Sequence, residues 1–146
     1  MSALYLIVVL GGEQVAIPAV AVESVIELER LTAVPRSAAH VAGVTALRSR
    51  PLTVIDCARS LELEGVQTNL KEGRGVVVTI DGHLFALAVD DVQDVVDIAD
   101  DPDNVPVTLG PQWDRVAAGM IETDRGAILV VDPQSIITGP ATARAA

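Results

Sequence analysis

Arg48 and Arg50 flank Ser49 inside an otherwise apolar stretch, GVTALRSRPLTVID over residues 43–56, and are the side chains in this chain most suited to recognition chemistry. An arginine offers a planar fork of five donors that grips a carboxylate through two parallel bonds. Placed directly after the apolar run 44–47, at an expected turn between two strands, that fork can meet a carboxylate within the protein or on a partner. The same position also suits a plain solvated turn residue, and residue types alone leave both readings open. One internal hint separates them: a weaker copy of the segment, GMIETDRGAILVVD over 119–132, carries Asp124 where Arg48 stands.

Catalysis needs convergent polar groups, and few are present. His40 precedes an apolar strand and His83 follows a hairpin glycine. Neither has a second histidine or a cysteine at ligand spacing, so both read as solvated turn histidines rather than zinc ligands or bases. Asp90, Asp91 and Asp94 lack the oxygen-rich loop of a calcium site and read as a solvated face. Cys57 follows a strand in apolar surroundings, which makes a buried, inert thiol. Ser49 and Ser60 have no base in reach, and no GxGxxG, Walker or GxSxG pattern occurs. A protein without catalysis, metal or cofactor is expected.

Composition narrows the partners. The net charge of −10 opposes any complex with a polyanion through long-range repulsion, so nucleic acid is excluded. A single cysteine permits no internal disulfide and fits a reducing compartment. The apolar start over 3–10 is far shorter than the roughly 20 residues of a membrane span, so a cytoplasmic protein without direct membrane insertion is expected. Half of the residues are apolar but only Tyr5, Phe85 and Trp113 are aromatic, and a core of Val, Ile, Leu and Ala favours strands.

The elements that must position the arginines come in two copies. Gly12, Ala16, Val22 and Val25 recur as Gly82, Ala86, Val92 and Val95, each 70 residues on. Ala42, Gly43, Val54 and Asp56 recur as Ala118, Gly119, Val130 and Asp132, each 76 residues on. Two copies are too few for a solenoid or propeller. Each copy opens with strand, glycine turn and strand, over 3–10 and 14–17 and again over 76–80 and 84–89. A third run, 22–28 or 92–98, has spacing that suits either a helical turn or a strand and is taken as a short turn leading into a strand. Two more strands follow, over 41–47 and 52–55 and again over 117–121 and 127–131. Asp56 and Asp132 are placed to cap short helices over 57–61 and 133–136. Residues 63–74 read as a linker, 99–113 as an acidic, proline-containing surface loop, and 139–146 as a frayed tail. Five strands per copy with little helix predict a mainly β fold of two closed or nearly closed barrels, since closure removes exposed edges.

The segment AAHVAGVTALRSRPLTVIDCARSLEL resembles the signature of CheW-like chemotaxis coupling proteins, an apolar GV-x-x-LRG followed by proline and a V-x-D-L-type ending. Gly43, Val44, Leu47, Arg48, Pro51, Val54 and Asp56 match it, while Ser49 replaces the usual glycine and Ala46 the familiar asparagine. The resemblance covers about residues 3–137 and implies two pseudo-symmetric five-stranded β-barrels meeting over a shared apolar core. In those terms one domain spans 1–138, with a first barrel mainly over 12–62, a second mainly over 74–132 and terminal segments shared. It also implies a non-enzymatic adaptor, recruited to receptor arrays, that joins chemoreceptor cytoplasmic tips to the regulatory domain of a CheA-type histidine kinase. Arg48 inherits the coupling arginine, Ser49 its neighbouring turn position, and Val22, Ser24, Val25 and Val44 fall where partner surfaces lie. The alternatives are a CheW-like scaffold for a non-chemotactic kinase pathway and, in a different class, a small-molecule-binding or enzymatic β-barrel.

Overall fold

The central strands of this chain are apolar on both faces because each is buried twice, whereas the edge strands keep polar, exposed positions. The computed structural model describes residues 2–28, 31–63, 73–105 and 110–140. In the first strand, β1 (Ala3–Leu10), Leu6, Val8 and Leu10 join one buried cluster while Tyr5 and Ile7 join another. The same alternation runs through β6 (Arg74–Ile80), where Val76 and Val78 face one cluster and Val77 a third. Side chains of successive strand residues point to opposite faces, so continuous apolar runs report two covered faces.

The described residues form two five-stranded sheets. The first has the order β8-β1-β2-β10-β9, built from β1, β2 (Glu13–Pro18), β8 (Asp91–Ile98), β9 (Ala117–Thr123) and β10 (Gly126–Val131). The second has the order β3-β6-β7-β5-β4, built from β3 (Val22–Glu27), β4 (Val41–Leu47), β5 (Arg50–Asp56), β6 and β7 (His83–Val89). Advancing each strand number by five, cyclically, turns one order into the other, so the duplication read from the sequence is a pseudo-twofold of the fold. Within each sheet all neighbours are antiparallel except one parallel pair, β10 with β2 and β5 with β7.

The division into barrels differs from the expected 12–62 and 74–132. Each sheet joins the opening hairpin of one copy to the last three strands of the other. A 3₁₀ turn at Ala19–Ala21 carries the chain from β2 across to β3 in the second sheet, and Asp90 carries it back between β7 and β8. The second sheet is therefore continuous in sequence from β3 to β7, and the first is made from the two ends.

One buried cluster lies between the sheets and includes Val8, Leu10, Val15, Ile17, Ile55, Leu87 and Val131. Leu28, Leu52, Val54 and Ala86 fill the inside of the second sheet, and Tyr5, Ile7, Ile121 and Val130 the inside of the first. Each interior draws on both edge strands, Ile26 with Ala42 and Val96 with Ile121, so each sheet curls around its own filling. No ladder joins β3 to β4 or β8 to β9 among the described residues.

The repeated Ala-Gly pair has a mechanical role. Val41 pairs with Ile55 and Gly43 with Val54, which leaves Ala42 as an extra, bulged residue, and Ala118 is bulged in the same way between Ala117 and Gly119. A bulge bends the strand and tightens its twist, which a small curled sheet needs. At the bend a connector crosses the strand: Thr32 and Val44 exchange backbone bonds of 3.0 and 2.9 Å, as Asp103 and Met120 do at 2.8 Å each. A Cβ on Gly43 would stand 2.7 Å from the Thr32 carbonyl oxygen, and one on Gly119 3.0 Å from that of Asp103, so only glycine fits.

The strand and helix ends agree closely with expectation. Asp56 accepts from the Arg59 amide at 3.3 Å and caps α1 (Cys57–Ser60), and Asp132 accepts from the Gln134 amide at 3.2 Å and caps α3 (Pro133–Thr138). The loop expected over 99–113 contains the start of a helix, α2 (Pro111–Val116), whose Trp113 and Val116 pack on the shared cluster. Three prolines and an acidic run hid it, although proline is well suited to a first helical turn. Gly139 and Pro140 are buried rather than frayed. The remainder of the expected tail, residues 141–146, lies outside the described residues, as do 106–109 and most of the expected linker, 64–72.

Candidate functional site

The arginine turn is a two-residue hairpin between β4 and β5. Leu47 and Arg50 close it, and the two central residues both have positive φ, 51° at Arg48 and 68° at Ser49. That pair of values is the type I′ turn, whose twist matches the flanking strands. The β1–β2 and β6–β7 hairpins use the same pattern with Gly11-Gly12 and Asp81-Gly82, so each supplies at least one glycine. The Arg48-Ser49 turn supplies none, and side chains at such positions cost roughly 1–2 kcal/mol per residue. Backbone strain of this kind persists at functional sites. Arg48 is exposed and forms no ion pair among the described residues.

An open depression of about 770 Å³ lies beside the turn, lined by Val44, Ala46, Ser49, Arg50 and Pro51 with Thr32 at its margin. It brings Val44 and Ser49 together under the arginine turn. Val22, Ser24 and Val25 lie elsewhere, on β3 at the opposite edge of the same sheet, paired with Val78, Val77 and Val76. Val25 shares its face with Val76 of the inter-sheet cluster but is 37% exposed, and the exposed Glu27, two residues on, lies on that same face. The six expected residues therefore form two patches, one at each edge of the second sheet.

Three apolar residues that the sequence reading passed over extend the second patch type. Val95, the repeat of Val25, is 54% exposed on the edge strand β8, opposite Leu6. Val20, in the crossing turn, is 96% exposed, and with Leu4 and Pro18 it borders a groove of about 610 Å³. The 70-residue repeat pointed to Val95; Val20 had a signal only in being apolar within a three-residue crossing.

The histidine and cysteine readings resolve differently. His83 is exposed, but His40 is 4% exposed, so the expected solvated histidine is instead a buried one. Its Nε2 donates to the Ile137 carbonyl at 2.8 Å, its ring covers Gly139, and Nδ1 has no partner among the described residues. The ring ties the start of β4 to the end of α3. Cys57 is fully buried; burial first, then the charges of Asp56 and Asp90, push its thiol far above the ordinary range, which makes it inert. Asp90 is more than a solvated face, because its carboxylate accepts from the Gly11 and Gly12 amides at 2.9 and 3.4 Å.

Arg115 was also missed. From α2 it donates to the Ser60 carbonyl at 2.9 Å, to Ser60 Oγ at 3.3 Å and to the Ser135 carbonyl, while Ser60 Oγ donates to the Ile136 carbonyl at 2.6 Å. One guanidinium thus reaches carbonyls of both α1 and α3, sharing that of Ser135 with the Gly139 amide. It clasps the three helices together and is a structural rather than a recognition arginine.

A model of the CheW-like domain matches residues 4–141. The chain belongs to the CheW-like domain family. Its CheW-like domain includes both sheets, the arginine turn and the helix clasp. The fold is similar to the crystal structure of the scaffolding protein TtCheW from Thermoanaerobacter tengcongensis, with a TM-score of 0.78 and 24% identity over 91% of this chain and 86% of that one. No curated protein sequence matches the chain. Among the described residues no helix is long and apolar enough to cross a membrane, and no group of three or more His, Cys, Asp or Glu side chains forms a metal site.

Proposed function

We propose that this CheW-like domain is a non-enzymatic coupling adaptor in the cytoplasm that joins the cytoplasmic tips of chemoreceptors to the regulatory domain of a CheA-type histidine kinase. The observation that carries this reading is Arg48, exposed on a strained, glycine-free turn at the family's signature and in no ion pair among the described residues. A fork fixed on a rigid hairpin loses little freedom on binding a carboxylate, which is how a single arginine comes to dominate an interface. Val44 and Ser49 lie beside it, and Val22, Ser24 and Val25 offer a second, partly apolar patch at the other sheet edge. Two patches on one rigid body suit an adaptor, because it must hold two partners in a fixed geometry for occupancy of one to shift the active population of the other. Modest contacts suffice once many copies are tethered together at receptor arrays. Sheets that curl around their own fillings are taken as barrels closed by packing at the seam.

The test is receptor-dependent kinase activity in a reconstituted array. Arg48→Ala is expected to keep the fold, since the side chain is exposed, and to lower receptor-controlled activity about tenfold or more. Val25→Asp is expected to weaken capture of one partner without unfolding the chain. Unchanged coupling in Arg48→Ala sinks the assignment of the turn.

A second reading has its own support: Ser49 stands in place of the signature glycine and Ala46 in place of its asparagine. Both line the depression beside the turn, so the contact surface itself departs from the family pattern. In this reading the adaptor serves the histidine kinase of a non-chemotactic pathway. Titration with regulatory domains from both kinase types separates the two.

A further inference from the structure

The end of the second sheet that carries the arginine turn also gathers other cationic side chains. Arg50 opens β5 and His83 opens β7, and Thr53 stands opposite Phe85 in their parallel register, so Pro51 and His83 lie side by side two residues earlier. Ala46 pairs with Pro51 and Val44 with Thr53, which puts Val44, Ala46, Pro51 and His83 on one face, turned away from the sheet's own filling. Arg50 lines the depression over that face, and Arg48 stands in the turn beside it. Arg48, Arg50 and His83 are exposed, and none has an ion pair or a side-chain hydrogen bond among the described residues. Elsewhere arginines find acceptors: Arg59 pairs with Asp56 at 3.8 Å, Arg125 with Asp94 at 3.1 Å, and Arg115 holds its carbonyls. The carboxylates at this end are Glu23, which accepts from Thr79 at 2.6 Å, and Asp81, in the turn before His83.

The pseudo-twofold shows that this charge is no property of the fold. The repeats place Asp124, Gly126 and Glu13 where Arg48, Arg50 and His83 stand, and the related groove on the first sheet is lined by Glu13, Met120 and Ala127. We propose that the cationic rim of the second sheet binds an acidic segment of the adaptor's protein partner, and that Arg50 and His83 join Arg48 in selecting it. The segment carries two or more carboxylates beside an apolar residue: the carboxylates meet the cations, and the apolar residue meets Val44, Ala46 and Pro51. The net charge of −10 does not prevent this, because at physiological salt charges beyond about 8 Å are screened and the nearest groups decide. A nucleic acid extends its dense charge past the rim, over the rest of a net-acidic chain, and is the poorer occupant. This inference deepens the coupling reading and rests on it for the occupant being a partner protein.

The experiment is amide NMR of the isotope-labelled full chain, titrated with a capped peptide of about ten residues that holds two glutamates around a leucine and serines elsewhere. Saturable shifts are expected over residues 44–51 and at His83, weakened by added salt as exposed charge pairs are. They should be lost when glutamines replace the glutamates. Arg50→Glu is expected to weaken binding about fivefold or more and His83→Glu about threefold. Arg74→Glu, with the same charge change as Arg50→Glu but at the far end of β6, should leave it within about twofold. All three positions are exposed, and circular dichroism checks that each variant is folded. Equal weakening by Arg50→Glu and Arg74→Glu, or binding strengthened by salt, would reduce the effect to net charge and overturn the rim. Tighter binding of a single-stranded oligonucleotide at the same amides would overturn the choice of a protein partner. Absence of shifts with the glutamate peptide would overturn the proposal; the assay contains neither kinase nor receptor, so the coupling reading then stands or falls separately on Arg48→Ala in the array.

Discussion

Replacing Gly43 with alanine is expected to destabilise the chain by about 3 kcal/mol. The new Cβ would lie 2.7 Å from the Thr32 carbonyl oxygen and 3.2 Å from its carbon, and both atoms are backbone that no side-chain rotation can move. Relief requires the connector at Thr32 to withdraw and give up its two bonds to Val44. Those bonds contribute about 1 kcal/mol each. The backbone angle at Gly43, φ 156°, adds roughly 1–3 kcal/mol for a residue with a side chain. Alanine restricts the unfolded chain and offsets about 0.4–1 kcal/mol. Urea unfolding followed by Trp113 fluorescence reads the result: with a slope of about 2 kcal/mol/M the midpoint falls by about 1.5 M. Gly12→Ala is the control, because Gly12 also has positive φ, 81°, but nothing within 4 Å of an added Cβ. It should lose only about 1 kcal/mol. Gly119→Ala should behave like Gly43→Ala, since its Cβ would meet Pro102 at 2.7 Å and Asp103 at 3.0 Å. A loss at Gly43 no larger than at Gly12 would refute the crossing connector as the reason for the glycine.

Arg115→Ala is expected to lower stability by about 1–3 kcal/mol, because the Ser60 carbonyl loses the guanidinium donor and the Ser135 carbonyl keeps only the Gly139 amide, and Arg115→Lys should recover little of it, since an ammonium cannot span the fork; urea midpoints and amide exchange in α3 check both. Ser49→Gly should raise stability by about 0.5–1 kcal/mol and the melting temperature by about 2–4 °C while coupling is kept, because it relieves a left-handed serine at φ 68°. Cys57 sets an alkaline limit: below about pH 9 the thiol is neutral folded or unfolded, and above it only the unfolded chain ionises, since burial holds the folded thiol protonated. Stability should therefore fall by up to about 1.4 kcal/mol per pH unit above that point, and the fall should be shallower in Cys57→Ala, as measured by urea titrations across alkaline pH.

Much of the architecture was legible because it is local. Gly11-Gly12 and Asp81-Gly82 marked the opening hairpins, aspartates marked the starts of α1 and α3, and the 70- and 76-residue spacings marked the duplication. The arginine turn was found through the same local signals, and its position between β4 and β5 agrees with the expectation. What escaped was long-range. His40 looked like a loop residue because its burial comes from α3, almost a hundred residues away. Arg115 looked like one charge among many because its acceptors lie 20 and 55 residues off. The helix around Trp113 was hidden because its stability comes from packing on the shared cluster rather than from propensity.

The sequence by itself determined that this chain makes short, mostly apolar strands in two copies, since side-chain alternation and turn chemistry depend only on near neighbours. It also determined where the exceptional turn falls. Only the tertiary structure decided which strands pair. Periodicity reports that a face is buried but not what buries it, so the exchange of β3–β5 and β8–β10 between the two hairpins left no mark in either copy. That exchange leaves one seam beside the Arg48 turn and its counterpart lined with carboxylates, because each pairing places different residues at the sheet edges.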